Sequence, residues 1–158
     1  MAEKYYLTRK GFKRVKKEYR ELLEVKRRKS REGAPRILLS GDLNPDYFGY
    51  QTDMSLLEVR LAEHERVLKN AELITAPAGE QRKVVSLGAT VTLEEEPGKQ
   101  INEYTILGSL EANPAEGNIS NESPVGRELI GKAVGDVVVI RSPIQVTYRI
   151  KKITYRTA

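Results

Sequence analysis

The sequence predicts an α+β protein in two parts: an antiparallel helical hairpin, then a small antiparallel β-sheet domain with one short helix. Three observations carry this. Apolar residues recur at helical spacing in two long segments of the first half. A stretch of helix-ending and helix-starting residues, Ser40 to Tyr47, lies between them. After residue 82 the apolar period changes from 3.6 to 2.

The first helix is expected to begin after Leu7-Thr8, with Thr8 as N-cap. Phe12, Val15, Tyr19 and Leu22 form an a/d seam, while Lys and Arg fill most other positions. Pro35 removes a backbone donor and predicts a kink in this arm, before Ile37-Leu38-Leu39. Gly41 suits the left-handed residue that closes a helix. Asn44 and Pro45 read as N-cap and N1 of the second helix, with Asp46 in its first turn. Leu57, Leu61, His64, Leu68 and Ala71 continue the seam to about Glu72, with His64 packed and hydrogen-bonded rather than ligating. Two helices joined so tightly lie antiparallel, with Asp42 and Asp46 at the tip.

The small-residue and Pro/Gly stretch 75–82 reads as a linker. Strands are expected at Ala89–Leu93, Tyr104–Leu107, Val137–Ile140 and Val146–Ile150. Gly117-Asn118 reads as a turn. Ser123-Pro124 should cap a short helix that Gly131 stops. The expected division is therefore 1–74 for the hairpin, with its acidic tip near 41–47, then 75–82 and 83–158.

Composition narrows the function. The net charge of +5 is unevenly spread: residues 1–36 hold 14 Lys+Arg against 5 Asp+Glu, a net of +9, and the rest is mildly acidic. A basic arm on an acidic body is read either as meeting polyanion or an acidic channel, or as a solvated helix face. It carries no interleaved stacking aromatics of the kind that grip single strands, so tight binding of free nucleic acid is not expected. Zero cysteines exclude disulfides and thiolate metal sites, and one histidine leaves no basis for a His-built metal site or triad. No run approaches a membrane span, and Met1-Ala-Glu-Lys-Tyr-Tyr has no signal-peptide core, so a cytoplasmic protein without a membrane partner is expected.

Several stretches together resemble one family. They are Leu7-Thr8-x-x-Gly11, Gly41-Asp42-Leu43, Leu68-x-Asn70-Ala71-x-x-Ile74, Gly88-Ala-Thr-Val91 and Tyr104-x-Ile-Leu-Gly108. Further on come Glu111-Ala112, Ile119-Ser120-x-x-Ser123-Pro124, Arg127-x-Leu-Ile-Gly-Lys132 and Gly135-Asp136-x-Val138. In this order they resemble the Gre family of bacterial transcript-cleavage factors, its GreA branch more than GreB, over essentially the whole length. The resemblance implies a coiled-coil hairpin followed by an FKBP-like domain. It also implies a partner, bacterial-type RNA polymerase. The C-terminal domain would dock on the rim of the secondary channel, and the hairpin would bring tip carboxylates beside the catalytic Mg²⁺. The polymerase would then cleave backtracked RNA, so that the nascent 3′ end is met only indirectly. Such a factor lends metal ligands and is not itself an enzyme; it holds no tightly bound cofactor, and its Mg²⁺ is shared with the polymerase.

Carried over residue by residue, the resemblance assigns Asp42 to the acidic pair, with Asp46 the candidate for its second member and Gly41, Leu43 and Tyr47 supporting the tip. It assigns Ser123, Pro124 and Arg127 to polymerase docking, beside their reading as a capped short helix. The family's tip reads Gly-Asp-Leu-x-Glu-Asn-x-Glu-Tyr, whereas this chain has Gly41-Asp42-Leu43-Asn44-Pro45-Asp46-Tyr47, two residues shorter. Asp42 carries over directly. Asp46 either replaces the missing Glu or only offsets the dipole of the second helix. Three functions follow: a cleavage-stimulating elongation factor, a channel-binding regulator with little cleavage stimulation, or an unrelated coiled-coil binding module. A prolyl isomerase is disfavoured by two Phe and no Trp, too little aromatic material for a proline pocket.

Overall fold

The computed structural model describes residues 3–141 and 143–156. It divides into two compact units, Phe12–Asn70 and a second that joins the N-terminal residues through Gly11 to the chain from Ala71 onward. The expected boundary at 74 therefore moves. The reason is a strand pair too short to read from periodicity: β1 (Tyr5–Leu7) runs parallel to β4 (Ala71–Leu73), with Tyr5 opposite Ala71. Leu7 is fully buried, and the Ile74 amide donates to its carbonyl at 2.8 Å. At the rim of this pair Glu72 lies 3.1 Å from Lys4 and raises the lysine's pKa, an exposed contact of little energetic weight.

In the first unit, α1 (Arg9–Glu32) and α2 (Pro45–Lys69) lie antiparallel. Cross-helix pairs fix that direction: Glu18 with His64 at 3.1 Å, Lys26 with Glu58 at 4.0 Å, and Lys29 with Asp53 at 3.2 Å. Val15, Leu57 and Leu61 are buried on the seam, and Phe12, Tyr19, Leu22 and Leu68 are half-buried along it. His64 is hydrogen-bonded through both nitrogens, to the Arg60 carbonyl and the Glu18 carboxylate. Two expectations are corrected. The first helix ends at Glu32, where Gly33 takes φ +78° and its amide bonds Lys29 O, so Pro35 follows the helix instead of kinking it. The second ends at Lys69 with Asn70 as C-cap, leaving Ala71 to β4.

The second unit is built on a five-stranded sheet in the order β7-β6-β5-β9-β8. Its strands are β5 (Ala89–Glu96), β6 (Ile101–Leu107), β7 (Asn118–Ser120), β8 (Val137–Ile140) and β9 (Val146–Tyr155). The sheet is mixed, not wholly antiparallel, because β7 runs parallel to β6. Gly117 supplies the expected turn at φ +79°, but Asn118 already belongs to β7. α3 (Pro124–Leu129) covers the sheet, and Leu93, Ile106, Leu129 and Ile150 are fully buried between these elements. Within 75–82, the segment from Gly79 enters a 3-10 turn that runs to Lys83, and Arg82 donates to the Tyr155 carbonyl at 3.2 Å.

One long-range contact anchors the start of α1. Thr8 caps the helix through its hydroxyl, which accepts from the Gly11 amide at 3.0 Å. The Glu111 carboxylate, 103 residues on, accepts in turn from the Thr8 amide at 2.7 Å and from its hydroxyl. A carboxylate at this end also complements the helix dipole.

Candidate functional site

The tip is a miniature β-hairpin, not a bare turn between helices. β2 (Leu38–Leu39) pairs antiparallel with β3 (Asp42–Leu43), Leu39 opposite Asp42 and Leu38 opposite Leu43. The two-residue loop between them, Ser40 and Gly41, has φ +51° and +88°. Positive φ at both loop residues is the type I′ geometry that matches strand twist. Gly41 is thus required by a hairpin and not by a helix end.

Asn44 locks this hairpin to α2. It is a buried polar residue, 4% exposed. Its backbone amide donates to Ile37 O and its Nδ2 to Arg36 O, each at 2.8 Å, while its Oδ1 accepts from the Asp46 amide at 3.0 Å. The N-cap expected from sequence is therefore also the tie that fastens the incoming segment. Pro45 follows at N1, and the Tyr47 amide closes onto Asn44 O at 3.1 Å. Asn44→Ala should cost about 1–2 kcal/mol, the loss of a cap plus the bond to the Arg36 carbonyl. Hydrogen exchange of the 44–47 amides should accelerate markedly, and unchanged exchange would show that the tip is held by something else.

Asp42 and Asp46 stand two residues to either side of Asn44, both exposed. The ion pairs of the arms lie further along the helices, and among the described residues neither tip carboxylate has a cationic partner. Tyr47 is half-buried, accepts from Gln51 Nε2 at 2.9 Å and meets Phe48 edge-on with ring centroids 5.8 Å apart. Leu43 contributes its backbone to the hairpin while its side chain is exposed. As metal donors the two carboxylates are hard oxygens of the kind magnesium takes. No cluster of three or more His, Cys, Asp or Glu among the described residues could hold a metal alone. The donor set fits a divalent cation only as part of a shell that another molecule completes.

At α3, Ser123 is engaged in the cap: its hydroxyl accepts from the Gly126 amide at 3.1 Å and donates to Ser120 O at 2.7 Å. Gly126 is buried against the same segment, where any Cβ would collide with the Ser120 carbonyl oxygen. Pro124 and Arg127 instead face outward, lining a groove of about 510 Å³ with Lys132, Arg141 and the edge strand β8. Sequence reasoning missed Asn44's second bond and the basic rim of this groove. Both depend on non-local placement; the sequence showed only Asn44 as N-cap followed by Pro45.

Comparison with known proteins places the chain. Residues 80–155 match the family described as "Transcription elongation factor, GreA/GreB, C-term". A Halalkalibacterium halodurans protein named transcription elongation factor GreA is 40% identical over 150 residues, covering 90% of this chain and 92% of its own. A protein of the same name from Bacillus anthracis is 38% identical over 141 residues, covering 88% and 89%. The chain belongs to the GreA/GreB family of transcription elongation factors. Among solved structures, the GreA factor homolog 1 (Gfh1) protein of Thermus thermophilus aligns over 96% of this chain and 99% of its own, with 24% identity and a TM-score of 0.43.

Proposed function

We propose that this chain binds RNA polymerase, enters its secondary channel tip-first and stimulates the polymerase's own cleavage of backtracked RNA. The observation that carries this reading is the tip: two unpaired carboxylates, Asp42 and Asp46, presented on a hairpin locked by Asn44. Helices of 24 and 25 residues give the arms about 36 Å of reach, enough for the tip to enter a deep, narrow channel. In this reading Asp42 and Asp46 supply oxygen ligands toward a magnesium shared with the polymerase, and the chain has no active site of its own. When bound, that ion activates water and offsets charge on the phosphodiester. Asp42 is held by its hairpin register, and Asp46 by the bond from its amide to Asn44, so the backbone that carries both donors is fixed. The chain meets the nascent RNA 3′ end only through the polymerase, in the cytoplasm. No helix among the described residues is long and apolar enough to cross a membrane.

Docking is assigned to Pro124 and Arg127 on the groove wall, with Ser123 shaping the helix that presents them. Pro124 and Arg127 are exposed, so Pro124→Glu or Arg127→Glu should leave the fold intact. Each should weaken polymerase affinity by roughly tenfold or more, as introducing or reversing a charge does at an interface anchor. A competition assay against labelled wild type measures this, and unchanged affinity would move the docking surface elsewhere.

A further inference from the structure

The tip is apolar as well as acidic. Leu38 is 55% exposed, Leu43 62% and Phe48 46%, with Ile37 and Leu39 exposed beside them. Cross-strand pairing puts Leu38 and Leu43 together on one face of the hairpin, while Leu39 stands beside Asp42 on the other. The register, the type I′ loop and the Asn44 bonds to Arg36 O and Ile37 O hold the backbone that carries these side chains. A preorganised apolar surface loses little freedom on binding, which favours anchoring. We infer that Leu38 and Leu43 form an apolar anchor, seated in an apolar pocket of the protein partner that the tip enters.

Charge selects the class of occupant. Asp42 stands on the opposite face of the hairpin and Asp46 in the first turn of α2, with no cation paired to either among the described residues. Between residues 36 and 47 Arg36 is the one cation against Asp42 and Asp46, so the stretch is net acidic, which disfavours nucleic-acid phosphates and anionic lipid headgroups as occupants. A protein pocket with apolar walls and a cationic or metal-bearing floor complements both features. On docking, Leu39 would also shield its cross-strand neighbour Asp42 from water, strengthening that carboxylate's interactions. The inference rests on the polymerase reading, and it adds that the tip contributes affinity as well as ligands.

The test compares the full-length wild type with Leu38→Ser/Leu43→Ser and with the apolar control Leu38→Met/Leu43→Met. All three are competed for cognate RNA polymerase and assayed for RNA shortening. Both positions are exposed, so thermal melts should coincide. The serine variant is expected to lose roughly tenfold or more in affinity and the methionine variant to keep it. Equal affinity of the serine variant, with wild type still active in RNA shortening, would overturn the anchor and leave the polymerase reading standing. Wild type that neither binds polymerase nor shortens RNA would overturn both. Self-association of wild type by sedimentation, or its binding to anionic vesicles, lost in the serine variant while polymerase affinity is unchanged, would overturn the inference by assigning the surface a different occupant.

Discussion

Asp42→Asn should lower stimulated RNA cleavage by two orders of magnitude or more, while polymerase affinity changes little. The substitution keeps the shape of the side chain and removes the charge that would recruit a hard cation in the proposed reading. Asp42 is exposed and takes part in the hairpin only through its backbone, so the fold should be unaffected. If Asp42 is a ligand of a metal shared with the polymerase, as proposed, its loss would act on the reaction barrier, where each tenfold in rate is about 1.4 kcal/mol. Asp46→Asn separates two roles for the second carboxylate. A comparable loss of cleavage would make Asp46 a ligand in its own right. A small loss with a helix weakened by about 0.3–1 kcal/mol would make it a charge on the dipole of α2. Cleavage assays on both variants at saturating factor, with affinity measured in parallel, distinguish these outcomes.

The second large effect is on stability. Leu93→Ala should destabilise the sheet unit by about 3 kcal/mol or more, from lost transfer energy and the cavity left behind. Leu93 is fully buried on β5, the middle strand of the five, and lies at the register shift between β5 and β9. Backbone pairing on both sides restrains collapse into the space, which keeps the cost above the lower end of the usual range. In a unit of this size the thermal midpoint should fall by on the order of 15 °C. A calorimetric or circular-dichroism melt measures it, and a shift of one or two degrees would mean that this core is not closely packed.

Local signals were the legible ones. Thr8, Asn44-Pro45 and Ser123-Pro124 mark helix starts because a cap is written in adjacent residues, and each caps in the structure. The main strands were visible for the same reason, since alternation is local. Gly41 shows how such signals fail. Glycine serves a helix end and a type I′ loop equally well, and Gly33, eight residues earlier, had already closed α1. What could not be read was non-local: the three-residue pairing of β1 with β4, the parallel edge of β7 on β6, and Glu111 reaching back to Thr8. At the tip, residue types alone placed two carboxylates in one loop. The bonds that make Asn44 their common support emerge only once Arg36 and Ile37 are folded against it.

The most direct measurement is the length of RNA in stalled, backtracked complexes of the cognate polymerase, incubated with magnesium in the presence and absence of this protein. The account predicts rapid appearance of RNA shortened from its 3′ end and resumption of elongation. This should occur with wild type and not with Asp42→Asn added at the same occupancy. RNA of unchanged length, with wild type demonstrably bound to the polymerase, would contradict it.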